Sequence, residues 1–292
     1  MLQISELYVY PIKSLPGISL TQARVTDRGF EYDRRWMLVD ENNIFLTQRV
    51  LPEMTQLRPA FEKGGIRITH KTKGDSFFIS FEADVNAVPK QTEVVVWDDT
   101  CLAAYASDEA DKWFSEALGI NCRLVYMPEE SRRMVDQKYA SADKITSFSD
   151  AYPFMMIGQA SLDDLNSRLA DPLPMNRFRA NIVFTGGKAF EEDLLDQVTI
   201  NGIDFYGVKL CARCPIPTIN QNTGARGKEP LRALVKYRQK DNKVYFGQNL
   251  IHSGLGNISV GDTLEVKSYH THDRFMINGQ DPKFTEIDKT LV

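Results

Sequence analysis

Short runs of alternating apolar and polar residues, broken at short intervals by turn-forming residues, constrain this chain more than any other feature. The opening run, ISELYVYPIKSLPGISLTQARVT, reads as two strands around a proline-rich loop from Pro11 to Gly17, with Lys13 and Ser14 in the loop. Arg34 to Val39 reads as a strand, Asp40 to Asn43 as a turn, and Ile44 to Thr47 as the returning partner. Gly65 to His70, Phe77 to Phe81 and Glu93 to Trp97 continue the pattern. A period of two buries one face of a sheet. With no regular alternation of strand and helix, the pattern predicts sandwich- or barrel-like sheets and not a parallel one.

Further along, Ser107 is placed to cap a helix whose Ala110, Trp113, Phe114, Ala117 and Leu118 share a face, and Gly119 ends it. Arg123 to Met127 reads as a strand. Pro128 to Ser149, polar and weakly periodic, reads as a linker or mobile loop with solvated charges. Pro153 to Ile157 is a buried strand, and Ser161-x-x-Asp164 resembles a capping box opening a helix. Asn176 to Phe184 is a basic loop running into a strand, and two strands around Gly202 lead to Cys211. Pro230 opens a short helix, and Val244 to Asn249 and Asp262 to Ser268 close the sheet. The class is α+β: a sheet-rich domain over residues 1–120, a barrel-like domain over 121–269 and a polar tail over 270–292.

The net charge of −4 and pI near 5.7 exclude a broad nucleic-acid footprint, which needs a basic face to displace counterions. Any anionic ligand must be held by a local cluster. Four scattered cysteines are too few for a disulfide framework and point to a reducing, cytoplasmic setting. Neither a membrane span of about 20 apolar residues nor a signal-peptide layout is visible, so no membrane partner is expected.

Chemistry concentrates in LCARCPIPTINQNTG, from Leu210 to Gly224, where Cys211 and Cys214 are spaced C-x-x-C around Ala212 and Arg213. This spacing suits half of a zinc site, completed by His270 and His272, or a thioredoxin-like pair, or two packed thiols. Alternatively, a guanidinium beside Cys214 favours its thiolate, a soft metal ligand or nucleophile. Lys13, Arg34, Arg49, Arg177, Arg179 and Arg213 mostly lie at strand ends or in loops, where a scaffold places anion-gripping groups. Spacing alone does not choose among these.

YPIKS at Tyr10 to Ser14, DRRWMLVD at Asp33 to Asp40, ASLDDLNSRL at Ala160 to Leu169, NRFRANIV at Asn176 to Val183 and the cysteine stretch together resemble the MOSC family, named for the molybdenum cofactor sulfurase C-terminal region. The likeness is greatest to the mitochondrial amidoxime reducing component and its bacterial relatives. It implies a β-barrel-like MOSC domain preceded by a sheet-rich MOSC N-terminal domain. It also implies molybdenum cofactor (Mo-molybdopterin) as the bound group, with Cys214 the molybdenum ligand and Cys211 a neighbour. By motif, Lys13, Ser14 and Arg34 hold the cofactor phosphate, Arg179 and Asn181 hold the pterin, and Ala212 and Arg213 flank the metal ligand. Two positions depart from the common pattern: Ala212 stands where serine is frequent, removing one hydroxyl contact, and Ala180 where proline is frequent.

The implied activity is reduction of small N-hydroxylated compounds (amidoximes, hydroxylamines, N-hydroxylated bases) by oxygen abstraction at molybdenum, a detoxifying chemistry. Asp150 is expected as a proton donor or as a loop cap. With no cysteine after Cys214 to hold a cluster, electrons are expected from a separate flavoprotein or iron–sulfur partner. A carrier of the cofactor, or of its sulfur as a persulfide, is the alternative.

Overall fold

The computed structural model describes residues 1–81, 90–140 and 143–271. Seven strands close into a barrel, in the order Phe154–Gly158, Ile182–Thr185, Leu2–Val9, Thr263–Tyr269, Leu195–Ile200, Ile203–Ala212 and Lys243–Ser253, the last pairing back with the first. Phe154–Gly158 and Ile182–Thr185 run parallel, and the helix Gln159–Asn166 makes the crossover between them. Closure leaves no edge to protect and packs Leu7, Val9, Phe154, Phe184, Phe205 and Leu264 into one interior.

Outside the barrel, Trp36–Val39, Arg123–Tyr126, Asp99–Tyr105 and Gln91–Val96 form a four-stranded sheet, and Leu57–Glu62, Gly65–His70 and Ser76–Ser80 a three-stranded one. The helix Asp108–Leu118 packs Ala110, Phe114 and Leu118 into a core shared with Leu38, Leu57, Ile68 and Ile79. It is capped as its sequence predicts: Ser107 Oγ accepts from Ala110 N at 3.1 Å, and Gly119 ends it in the left-handed conformation.

The sheets do not follow a division at residue 120. Leu2–Val9 is a barrel stave between Ile182–Thr185 and Thr263–Tyr269, and Gln22–Thr26 pairs with Gly256–Ser259. The loop after Val9 therefore leaves the barrel rim directly, which puts Lys13 beside Phe148 and Asp150, well over a hundred positions away. At the other end, His270 and Thr271 close the described chain, and the rest of the tail predicted over 270–292, with His272, lies outside the described residues.

Three local expectations change. The strand predicted from Arg34 begins at Trp36, because Arg34 turns the chain at φ 49°. The described residues of the segment Pro128–Ser149 are anchored and do not form a linker: Arg133 and Phe148 are buried, Arg133–Met134 pairs with Ile145–Thr146, and Arg133 Nη1 donates to the Ser147 and Ser149 carbonyls. Its polar side chains satisfy its own backbone, so weak periodicity signals internal hydrogen bonding in place of solvation. Ser161 caps nothing, since the helix starts at Gln159. Its hydroxyl is buried, donates to Glu192 Oε2 at 2.7 Å and accepts from Phe190 N at 2.7 Å.

Glu192 is fully buried, and burial, reinforced by the charge of Asp193, pushes its carboxyl up to about 8. A folded-state value above the ordinary 4.5 stabilises fully below 4.5, and that stabilisation is lost as pH rises to about 8. Stability to urea is therefore expected to fall between those limits. Glu192→Gln, neutral throughout, is expected to flatten the profile and to exceed the parent by about 1–2 kcal/mol at the alkaline end.

Candidate functional site

The site begins with a tyrosine ring. Tyr10, at the end of the first barrel stave, is buried, and its phenol donates to the Ala180 carbonyl at 3.0 Å. Arg34 lies over the ring with its guanidinium carbon 4.2 Å from the centroid, and Arg179 with its own at 4.3 Å. Burial pushes the phenol up to about 12 against the pull of the two arginines, so it stays neutral. Gly17 leaves room for this ring: a Cβ there would sit 2.5 Å from Tyr10 Cε1.

Arg34 Nη1 donates to Asp33 Oδ2 at 2.6 Å and to Asn181 Oδ1 at 3.1 Å, and Arg179 Nη1 donates to the Leu15 carbonyl at 2.7 Å. Asn181 also donates through Nδ2 to the Tyr8 carbonyl at 3.2 Å. The YPIKS, DRRW and NRFRAN motifs, far apart in sequence, thus interlock. Ser14, Arg34 and Arg179 all hold positive φ, at 68°, 49° and 60°. Each such backbone costs on the order of 1–2 kcal/mol for a residue with a Cβ, and such strain clusters where function has to orient side chains.

Lys13 is 4% exposed, and its Nζ donates to the Phe148 carbonyl at 2.8 Å and to Asp150 Oδ1 at 2.7 Å. Burial lowers it to about 8, although Asp150 opposes the shift. The Asp150 side chain is 59% exposed. Burial of its inner oxygen acts to raise it, but Lys13, by charge and hydrogen bond, and then Arg49 prevail and hold it well below the usual carboxylate range. An ionised carboxylate accepts hydrogen bonds and has no proton to give, so the expected donor role does not fit this geometry. Asp150 acts by charge on both Arg179 and the Cys211 thiol, which places it in the same site.

The cysteine stretch begins on the last three residues of the Ile203–Ala212 strand and turns through Ile216–Thr218, where Arg177 Nε holds the Pro217 carbonyl at 2.7 Å. Arg213 does not serve Cys214. Its Nη1 lies 3.2 Å from Cys211 Sγ and against the Met155 thioether, and its Nη2 donates to the Phe178 carbonyl at 2.7 Å. Burial pushes the Cys211 thiol up against this guanidinium, so Cys211 is a packed thiol. Cys214 is half-buried and its sulfur takes no hydrogen bond among the described residues. Ala212 is exposed and presents only a methyl group. The zinc alternative gains nothing: His270 Nε2 donates to the Gly207 carbonyl at 2.8 Å, and no metal-holding group of three His, Cys, Asp or Glu occurs among the described residues.

Among the described residues Lys13, Arg34 and Arg49 pair with the Asp33 and Asp150 carboxyls while Arg179 and Arg213 donate to carbonyls, which leaves a cationic excess inside an acidic protein. Buried like charges are costly unless an anion joins them, and a phosphomonoester of about −1.5 to −2 charges is suited to do so. A half-buried, unbonded thiol next in the chain to Arg213 is a fitting soft ligand for molybdenum. The donor set therefore fits the cofactor. Sequence reading missed Tyr10, Trp97 and Arg133 as members of this cluster; Tyr10 alone carried a signal, as the first letter of YPIKS.

Because Lys13 loses its proton near pH 8, its grip on any anion is expected to weaken above that value. Affinity for inorganic pyrophosphate, measured by calorimetry, is expected to fall up to about tenfold per pH unit above pH 8, and Lys13→Met is expected to remove that dependence.

Two family models match the chain, the MOSC N-terminal beta barrel domain over residues 1–121 and the MOSC domain over residues 143–265. Mitochondrial amidoxime-reducing component 1 of Mus musculus is 30% identical over 277 residues, covering 89% of this chain and 80% of that protein. Mitochondrial amidoxime reducing component 2 of Bos taurus is likewise 30% identical, with 89% and 81% covered. Molybdenum cofactor sulfurase of Oryza sativa is 29% identical over 265 residues, but this chain spans only 32% of its length.

Proposed function

The chain belongs to the MOSC family, and on that premise we propose that it is a molybdenum-cofactor-dependent reductase of N-hydroxylated compounds. The observation that carries this reading is the cationic excess of Lys13, Arg34 and Arg179, on strained backbone or buried, together with the unbonded thiol of Cys214 on the stretch that carries Arg213. In this reading Lys13, Ser14 and Arg34 grip the cofactor phosphate, Arg179 and Asn181 orient the pterin, and the Cys214 thiolate ligates molybdenum. The bound cofactor supplies two-electron oxygen-atom chemistry.

The protein's own share is binding, orientation and charge. Overall, an N–OH group, two electrons and two protons give an N–H group and water. The electrons come from a separate flavoprotein or iron–sulfur donor. The ionised Asp150 carboxylate, fixed by Lys13 and Arg49, offers an acceptor to the substrate's N–H or O–H and holds it in one orientation. The names of the mouse and bovine relatives support amidoxime substrates. The rice relative favours a second reading, a handler of the cofactor or its sulfur with no reductase activity.

Protein loaded with cofactor is expected to hold molybdenum at about one per chain and to reduce benzamidoxime with a chemical electron donor. Cys214→Ala is expected to lose the metal and at least about a thousandfold in turnover, and Cys211→Ala to keep both within about threefold. Bound molybdenum without turnover of any N-hydroxylated substrate leaves the cofactor-handling reading; equal loss of metal in both variants overturns the assignment of Cys214.

A further inference from the structure

Trp97 sits where a tryptophan is not wanted for folding. Val96 and Asp99 pair across a two-residue turn, and Trp97 takes its first central position with φ 59°. Glycine is the usual occupant of a positive φ there, and a bulky residue bears strain. Burial is no compensation either, since Trp97 is 38% exposed. Its contacts run instead to the functional site. Nε1 donates to Asp150 Oδ1 at 3.3 Å, the Arg49 guanidinium lies over its ring at 4.0 Å, and Phe45 packs at 4.9 Å.

Arg49 is placed with similar care. Gln48 and Gln221 exchange amide hydrogen bonds at 3.0 and 3.3 Å, and Arg226 Nη2 donates to the Arg49 and Val50 carbonyls. The loop carrying Arg49 is therefore docked on the NQNTG end of the cysteine stretch. Its guanidinium reaches Asp150 Oδ2 at 3.6 Å, and its Nε is buried with no partner among the described residues. An indole face, a planar guanidinium and an exposed carboxylate thus meet at one place, and together they match a flat, conjugated molecule with N–H donors at its edge.

We propose that Trp97 and Arg49 form a substrate-positioning arm that selects flat, conjugated N-hydroxylated substrates, such as aryl amidoximes, over small aliphatic ones. The arm rests on the reductase reading and adds the substrate class. The conjugated plane stacks on the Trp97–Arg49 pair, and the amidoxime N–H groups meet Asp150.

The test uses cofactor-loaded protein with benzamidoxime and hydroxylamine, the latter too small to stack. Trp97→Gly relieves the backbone, so its melting temperature is expected to equal or exceed the parent's. The kcat/KM ratio of benzamidoxime to hydroxylamine is expected to fall about tenfold, chiefly through KM, with Trp97→Phe recovering most of it and Arg49→Gln falling as Trp97→Gly does. An unchanged ratio in Trp97→Gly, or a lower melting temperature with the ratio kept, makes Trp97 a structural residue and overturns the arm. Should the parent reduce neither substrate, the reductase reading fails by itself, and the arm is then judged by binding. Benzamidoxime without an electron donor is expected to quench the fluorescence of the parent and not of the remaining tryptophans in Trp97→Gly; equal response in both overturns it.

Discussion

A phenol ring with two guanidinium groups packed on it ties this molecule together at its functional end. Tyr10 comes from the first barrel stave, Arg34 from the turn before the four-stranded sheet, and Arg179 from the loop entering the Ile182–Thr185 strand. Two like charges on one buried ring repel, and each cation–π contact returns only about 1–2 kcal/mol. Asp33, which accepts from Arg34 and from Tyr10 N, and the Leu15 carbonyl under Arg179 supply the rest. The stack therefore stands on hydrogen bonds from three loops at once, and loosening any one of them exposes the other two.

Barrel closure makes that meeting possible. Leu2–Val9 lies between Ile182–Thr185 and Thr263–Tyr269, so the loops that follow Val9 and precede Ile182 leave the same rim. Asn181 records the junction: it accepts from Arg34 and donates to the Tyr8 carbonyl. Around the rim, Lys13 reaches across to Phe148 and Asp150, and Arg133 holds the carbonyls of the same segment. Ser14, Arg34 and Arg179 hold positive φ where loops at the barrel rim turn sharply to aim a side chain, and Trp97 does so in a hairpin of the four-stranded sheet.

Much of this was legible early. The period of two at Leu2–Val9 and around Gly202, the Ser107 cap and the Gly119 stop are local properties, and they appear in the fold where the sequence puts them. The YPIKS, DRRW and NRFRAN motifs were legible too, and the fold brings Tyr10, Arg34, Arg179 and Asn181 together. Four things were not: that Arg213 serves Cys211 in place of Cys214, that Asp150 is held ionised, that Ser161 faces Glu192, and that Pro128–Ser149 is anchored through Arg133. Each depends on a partner at a distance that neighbouring letters do not encode.

The sheet-rich class, the soft thiol, the supply of cations and the MOSC family are therefore written in the order of the residues alone. The tertiary structure decided which cysteine stays free, which carboxylate meets Lys13, and that an exposed tryptophan in a hairpin turn stands over the site. The reason is physical: strand period and turn chemistry act through adjacent residues, whereas burial, hydrogen-bond direction and charge pairing act through space and exist only once the barrel has closed.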